Sequence, residues 1–218
     1  MRATFRIDIY ENYRVHAHHE PVFSFCPVCG GSLEARLLKA GEPERLVCTG
    51  CGFVFYLDPK VAVGTIVRDE SGHVVLVRRA IEPGYGKWVF PGGYVDRGEE
   101  VLAAAVREAR EETGLEIRID HLINVYSYSG RAPVIIVYAA TMTGGCLGCD
   151  DEGLEARFFA PDAVPWDELA FRSTHEALRE LFEATGNAVE RGPTDPVGRT
   201  SSGPPGEPCK SGPTERPG

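Results

Sequence analysis

The sequence lacks long apolar runs, and this absence bears on where the protein works. No stretch approaches the roughly 20 apolar residues that a membrane-spanning helix needs. The first residues include Arg6, Asp8 and Glu11, so they lack the apolar core of a secretory signal peptide. We therefore expect a cytoplasmic protein with no membrane partner.

The chain also lacks an excess of cationic side chains. It has 23 Lys and Arg against 32 Asp and Glu, which gives a formal net charge of −9. Such a charge disfavours non-specific attraction to phosphate backbones, so nucleic acid is not the expected partner. An acidic protein can still bind a phosphate anion if it first binds a divalent cation.

The 218 residues contain enough apolar side chains for the core of one ordinary domain and of a second, smaller one. We divide the chain into an extension over 1–24, a cysteine-bounded unit over 25–56, a main domain over 57–185 and a tail over 186–218. The tail is rich in Pro, Gly, Ser and charge, and it has almost nothing to bury. This composition predicts disorder.

The main domain alternates between strand and helix patterns. Two β-branched runs, Val61–Asp69 and His73–Arg79, are separated by a short turn with glycine and predict a hairpin. A helix is expected from near Gly98 to Thr113, where Gly114 is placed for a left-handed cap. Further strands are expected at 122–128, 134–142 and 156–160, and a last helix at 173–184. This order predicts an α+β fold with a mixed sheet between helical layers.

Four of the seven cysteines form two Cys-x-x-Cys-Gly sequences, which begin at Cys26 and Cys48 and end their pairs at Cys29 and Cys51. In a reducing compartment, paired spacings of this kind indicate a metal site rather than disulfides. Four thiolates favour tetrahedral Zn²⁺, and closed four-sulfur sites are structural. We therefore predict a small zinc ribbon whose Zn²⁺ supports folding.

The first helix of the main domain brings three carboxylates together. Glu108, Glu111 and Glu112 are spaced i, i+3 and i+4 and fall within an arc of roughly 100°. A solvated acidic face is the ordinary alternative for a Glu-rich helix. Here the cluster borders the small residues Ala104 and Ala105 instead of lying opposite the core. Because hard cations such as Mg²⁺ take oxygen ligands and usually hold phosphate, this arc predicts a metal–phosphate site.

The segment before this helix supports that interpretation. Pro91-Gly92-Gly93 has no side chain that would block a ligand at its glycines, so its backbone can approach metals or phosphates closely. Arg107 stands two turns along the helix from Glu99. A pair between these two side chains would hold the junction of loop and helix in shape.

Together these residues resemble the Nudix box, G-x5-E-x7-R-E-U-x-E-E-x-G-U. Gly93, Glu99 and the run from Arg107 to Leu115 fill every fixed position. The resemblance implies a Nudix α/β/α sandwich with a mixed sheet. It also implies a Mg²⁺- or Mn²⁺-dependent pyrophosphohydrolase in which water attacks phosphorus in a nucleoside diphosphate linked to another moiety.

The resemblance further implies a role for each acidic residue of the box. Glu108 and Glu112 would be the principal metal ligands, and the Gly92 carbonyl would complete the coordination sphere. Glu111 would assist them or help to activate water. Glu99 would pair with Arg107.

Nudix enzymes often add an acidic residue from a later loop. Glu152 and Glu155 are the candidates in this chain, and Glu155 is favoured because the family often places an acid shortly before an aromatic strand. The alternative is that the acidic run around Glu152 is a solvated turn.

Aromatic residues could stack on the base or flavin ring of a substrate. Tyr85, Trp88 and one of Tyr126 and Tyr128 are the candidates, with Trp88 preferred because it lies near the glycine loop. Aromatic residues at such positions are at least as often part of the core. Both interpretations stay open at this point.

A zinc ribbon directly before a Nudix domain resembles two Nudix subgroups. NADH pyrophosphatases carry the marker S-Q-P-W-P-F-P-x-S after the box, and this chain lacks it. The chain is more similar to plant-type ADP-ribose/FAD pyrophosphatases over about residues 25–182, through FCPVCGG, DPKVAVGTIV, GYGKWVFPGGYVDRGE and VPWDELAF. The expected substrate is therefore ADP-ribose or an FAD-like dinucleotide.

Other functions stay open. NADH, capped RNA ends or an oxidised nucleoside triphosphate would change the substrate and keep the enzyme. A non-catalytic nucleotide-sensing or interaction module, with the ribbon binding protein or RNA, would be a different class of function. Nudix pyrophosphatases commonly dimerise, so a homodimer is a further expectation.

Overall fold

The computed structural model describes residues 23–186 of the chain. The predictions for residues 1–22 of the N-terminal extension and for residues 187–218 of the tail lie outside the described residues. The chain divides into two units, with the boundary between Pro59 and Lys60. Within residues 23–186, no helix has the length and hydrophobicity needed to cross a lipid bilayer.

The first unit contains a three-stranded antiparallel sheet. Its strands, in the order β1-β2-β3, are β1 Leu33–Arg36, β2 Arg45–Cys48 and β3 Val54–Phe55. Among residues 23–59, the part of this unit that the structure describes, the buried hydrophobic residues are Cys26, Val47 and Cys48. A core this small does not stabilise a domain without a disulfide or a metal, so the stability of this unit depends on its cysteines.

The second unit is a mixed sheet with two helices. Its strands are β4 Lys60–Arg68, β5 Val74–Arg79, β6 Trp88–Val89, β7 Leu115–Ser127, β8 Pro133–Gly145 and β9 Gly153–Phe159. Its helices are α1 Val101–Thr113 and α2 Arg172–Ala184. The strand order is β6-β5-β4-β8-β7, and β9 pairs with β5. Because β4 and β8 are parallel and β7 and β8 antiparallel, the predicted mixed sheet is confirmed.

The two helices lie on opposite faces of this sheet, because side chains alternate along each strand. One face packs against α2 through a cluster that includes Ile66, Leu76, Val137 and Leu178. The other face packs against α1 through a cluster that includes Val67, Val75, Ala140 and Ala109. The predicted α/β/α sandwich is therefore confirmed.

Several elements differ from the predicted bounds for local reasons. Helix α1 begins at Val101, three residues later than predicted, because Gly98 has a φ of 87°, which a right-handed helix excludes. It ends as predicted, with Gly114 in a left-handed cap at a φ of 68°. Strand β7 begins directly after that cap at Leu115, because the apolar alternation continues through the residues that follow.

The predicted hairpin is looser than expected. β4 and β5 pair only at Arg68 and Val74 and then diverge. The gap is filled by the segment 91–95, in which Pro91 and Gly93 accept hydrogen bonds from Thr65 and Val63 at 2.9 and 2.8 Å. The glycine loop is thereby fixed to the centre of the sheet.

Gly64 of β4 controls how closely this segment approaches. A Cβ atom at Gly64 would lie 2.1 Å from Cε2 of Phe90, the residue directly before the loop. We predict that Gly64→Ala displaces the Phe90 ring and lowers the free energy of unfolding by about 1–3 kcal/mol, measured by calorimetry. Gly148→Ala is the matched control, since a Cβ atom there meets no atom within 4 Å. Equal stability of the two variants would contradict this account of the packing.

Candidate active site

The glycine loop presents its backbone to the site. Because the Pro91 and Gly93 carbonyls face β4, and successive carbonyls of an extended chain alternate, the Gly92 carbonyl is directed away from β4. A Cβ atom at Gly92 would lie 2.2 Å from the Val63 carbonyl oxygen, so only glycine fits there. The predicted position of a backbone ligand is consistent with this geometry.

Glu112 is the most deeply buried acid of the site. Its Oε2 accepts a hydrogen bond from the Gly92 amide at 2.9 Å. Burial raises the pKa of Glu112 to about 8, and the charges of Glu108 and Asp150 add to this, whereas the Gly92 amide and Arg79 oppose it. A carboxyl group in this state stays largely protonated near neutral pH unless a cation displaces the proton.

Glu108 lies against the other glycine of the loop. A Cβ atom at Gly93 would lie 2.5 Å from both carboxylate oxygens of Glu108, so the side chain needs glycine at that position. Burial raises the pKa of Glu108, although Arg107 donates to Glu108 Oε1 at 2.8 Å. Glu108 and Glu112 therefore share one loop and one partly desolvated space.

Arg107 and Glu99 join the helix to the loop. Nε and Nη2 of Arg107 donate to the two oxygens of Glu99, both at 2.8 Å. Arg107, and then the Asp96 amide, lower the pKa of Glu99 to about 2. The same guanidinium donates to Glu111 at 3.0 Å and thus orients two neighbouring acids of the box.

Glu111 occupies a different environment from the other two acids. Its side chain is 57% exposed, and the partner that the structure shows for it is Arg107. Two carboxylates of the predicted trio therefore face the loop, while the third extends towards solvent.

The aromatic residues that are candidates for substrate binding differ in how deeply they are buried. Trp88 is 2% exposed and packs edge-on against Phe159, with ring centroids 4.9 Å apart, so its indole is part of the core. This burial corrects the preference for Trp88 as a stacking platform and favours the core alternative. Tyr85 is 59% exposed and remains accessible to a ligand.

The acidic candidates near β9 are Glu152 and Glu155, one of which was expected to add a carboxylate to the acids of the box. Their surroundings differ from that expectation. Glu155 stands opposite Arg78 in the sheet and forms an ion pair with Arg157 at 3.3 Å. The backbone carbonyl of Glu152 accepts a hydrogen bond from Ala80, and its residue is exposed. The acid of this region whose charge reaches Glu112 is Asp150.

Sequence reasoning did not anticipate that the charges of Asp150 and Arg79 act on Glu112. Both influence the charge of Glu112, although they are distant from it in sequence. The pairing of Arg79 with Gly153 at the end of β5 brings the loop before β9 next to the end of β5. This antiparallel register is a long-range contact, so no local pattern signals it.

The four cysteines of the first unit converge. One ligand atom from each of Cys26, Cys29, Cys48 and Cys51 lies within 4.8 Å of the others. The Gly50 and Cys51 amides donate to the Cys48 sulfur at 3.3 and 3.4 Å. These amides, that of Cys51 first, lower the pKa of the Cys48 thiol to about 6, which favours the thiolate that metals bind. The cluster is therefore suited to one tetrahedral metal ion.

Two family models match the chain. The model described as NUDIX domain matches residues 58–176, and the one described as Nudix N-terminal matches residues 24–57. An ADP-ribose pyrophosphatase of Methanocaldococcus jannaschii is 39% identical over 127 residues, which cover 56% of this chain and 72% of that protein. An NAD-capped RNA hydrolase NudC of Pseudomonas aeruginosa is 30% identical over 162 residues, and the match spans 55% of its length.

A solved structure resembles the chain over most of its length. The NUDIX hydrolase of Nitrosomonas europaea has a TM-score of 0.70 and 32% sequence identity, and the match covers 75% of this chain and 94% of that one. The likeness therefore extends over more residues than the match to the NUDIX domain model.

The cysteine cluster predicts one zinc ion per chain, measured by elemental analysis of the purified protein. Cys48→Ser removes a ligand that the structure buries, so we expect this variant to lose the zinc and to unfold at a lower temperature. Cys149→Ser is the control, because Cys149 is an exposed thiol outside the cluster. Full zinc content in Cys48→Ser would contradict the assignment.

The raised pKa of Glu112 predicts how stability depends on pH when no divalent cation is added. A carboxyl whose pKa is about 8 in the folded protein, against an ordinary glutamate pKa of 4.5, makes the native state bind more protons between these values. The contribution of Glu112 to stability is therefore greatest below pH 4.5 and is lost as the pH rises from there to about 8.

The neutral Glu112→Gln variant removes this loss. We expect it to gain on the order of a few kcal/mol over the native protein between pH 5 and 8 in thermal melts. Glu183→Gln, an exposed acid of α2, is the control and should leave the pH slope unchanged. The same slope in Glu112→Gln and in the native protein would overturn this interpretation.

Proposed function

We propose that this chain, which belongs to the Nudix hydrolase family, cleaves the pyrophosphate bond of ADP-ribose or of an FAD-like dinucleotide with the help of divalent cations. The observation that carries the proposal is the joint burial of Glu108 and Glu112 against Gly92 and Gly93. Two acids in one desolvated space cannot both ionise near neutral pH unless a cation joins them.

The residues fit Mg²⁺ or Mn²⁺. Oxygen donors from Glu108 and Glu112 would hold the ion, with the Gly92 carbonyl as a further ligand and Glu111 as an assisting acid. When bound, the ion neutralises phosphate charge and lowers the pKa of a water molecule. We assign this chemistry to the domain over residues 57–185, and a structural Zn²⁺ to the ribbon over residues 25–56.

The other charged residues position this machinery. Arg107, held by Glu99, fixes the direction of the Glu108 carboxylate through a hydrogen bond of 2.8 Å. Arg79 lies close enough to lower the pKa of Glu112, and it offers a positive charge to a bound diphosphate. Asp150 adds a negative charge on the side of β9, which is the role that the family resemblance implied for Glu155.

ADP-ribose is the preferred substrate for two reasons. The segments FCPVCGG, DPKVAVGTIV and VPWDELAF resemble those of plant-type ADP-ribose/FAD pyrophosphatases. A relative that is 39% identical is named an ADP-ribose pyrophosphatase. Similarity to NAD-capped RNA hydrolases supports a second candidate, a nicotinamide dinucleotide or a capped RNA end, although the chain spans about half the length of those relatives.

A substrate panel tests this proposal. We expect the Mg²⁺-loaded protein to convert ADP-ribose and water to AMP and ribose 5-phosphate at a higher kcat/KM than NADH, NAD-capped RNA or nucleoside triphosphates, with products resolved by chromatography. Glu108→Gln should lower kcat about a hundredfold or more, because it removes charge stabilisation that operates in the transition state.

Glu183→Gln is the control for this experiment and should retain the native rate, since its side chain is exposed on α2. Preference for NADH or capped RNA would reject the substrate assignment and keep the enzyme class. Unchanged turnover in Glu108→Gln would reject the catalytic assignment and leave a nucleotide-sensing module as the better account.

A further inference from the structure

A cavity of about 520 Å³ lies where the end of β7 meets the start of α2. Its lining includes Tyr126, Tyr128, Arg172 and Glu176. Tyr126 lies near the end of β7 and Tyr128 directly follows that strand, and both residues line the cavity. The cavity therefore has an aromatic wall from the strand and a charged wall from the helix.

The charged wall is held rigidly. The Tyr128 hydroxyl donates to one oxygen of Glu176 at 2.7 Å, and Nε of Arg172 donates to the other, also at 2.7 Å. The Arg172 guanidinium lies over the Tyr128 ring, 4.9 Å from its centroid. Each carboxylate oxygen can accept a second hydrogen bond, so Glu176 can still receive a donor from a ligand.

Tyr126 contributes a buried hydroxyl that meets no partner in good hydrogen-bond geometry, although the Glu180 carboxylate lies close to it. The residue is 5% exposed, and within residues 23–186 its hydroxyl makes no hydrogen bond. Burial raises the pKa of Tyr126, and the nearby Glu180 carboxylate, which accepts from the Asn124 amide at 2.9 and 3.1 Å, adds to this. Burying an unpaired hydroxyl is costly, and phenylalanine would fill the same core space without that cost.

The cavity and the glycine loop lie along one row of the sheet. Tyr94 of the loop pairs with Ala62, Ala62 pairs with Ile135, and Ile135 pairs with Tyr126. Three strand spacings separate the ends of this row, which corresponds to about 14 Å. Arg79, which influences Glu112, lies over the ring of Phe171, directly before Arg172.

The chemistry of the cavity selects one part of a nucleotide. Glu176 and Glu180 disfavour a phosphate group, because like charges repel. A planar base can lie against the aromatic wall and offer an N–H to Glu176 and a ring nitrogen to the Tyr126 hydroxyl.

We propose that this cavity binds the nucleobase of the substrate, with Tyr126 and Glu176 as the residues that recognise the edge of the base. This inference rests on the proposed function, since it supplies the base-binding part of the same nucleotide site.

Calorimetric titration of the full, zinc-loaded chain with AMP in the presence of Mg²⁺ tests the inference. AMP has no pyrophosphate bond and is not consumed. We expect Tyr126→Phe and Glu176→Gln to weaken AMP binding roughly threefold to tenfold each, as the loss of one hydrogen bond predicts. Binding of ribose 5-phosphate, which has no base, should be unchanged in both variants.

The stability of Tyr126→Phe separates recognition from packing. We expect its melting temperature to equal or exceed that of the native protein, because the variant removes an unpaired buried hydroxyl. Tyr138→Phe is the matched control: Tyr138 packs with the cluster on the α1 face, so AMP binding should stay at the native level.

Native AMP affinity in both Tyr126→Phe and Glu176→Gln would overturn the inference. The same would follow if the variants weakened AMP and ribose 5-phosphate equally. These outcomes are distinct from failure of the proposed function, in which the native protein would bind AMP through this cavity but hydrolyse no nucleoside diphosphate derivative.

Discussion

The site depends on the contact between the buried carboxyl of Glu112 and the amide of Gly92. This contact demands glycine in the loop, because side chains there would collide with β4 and with Glu108. It also demands that β4 and β5 diverge, so that the loop can lie beside β4. The fold of the second unit thus provides a place where acids are removed from water next to bare backbone. That arrangement is unfavourable for a protein alone and favourable for a protein with a cation.

Much of the fold could be predicted because its signals are local. The alternation of β-branched residues specified the strands, and Gly114 ended the helix where its left-handed conformation requires. The cysteine spacing predicted the converging thiols because it too is a local signal: one tight turn brings the two cysteines of each pair together. The start of α1 was misplaced because the acid-rich residues after Gly98 fit a helix as well as the loop that they form.

The site was predictable only as far as it is built from one helix and its loop. Asp150 and Arg79 join it through the pairing of β5 with β9, a register that no short pattern contains. Trp88 was preferred as a stacking residue because it is close to the loop in sequence. In the structure, β6 carries its indole into the core, where hydrophobic burial of a large ring outweighs exposure to a ligand.

Glu112 and Tyr126 follow the same physical rule at two places in the second unit. Each is a polar group that the fold buries without fully satisfying it, and each would be replaced at lower cost by a neutral or apolar side chain. A folded chain tolerates such groups when a ligand supplies the missing interaction. The free energy that their burial costs on folding is then offset by the free energy of binding. On this argument the charged group marks where the diphosphate and its cation bind, and the neutral hydroxyl marks where the uncharged base binds. The row of the sheet that joins Tyr94, the residue directly after Gly93, to Tyr126 then sets the length of nucleotide that reaches from the loop to the cavity.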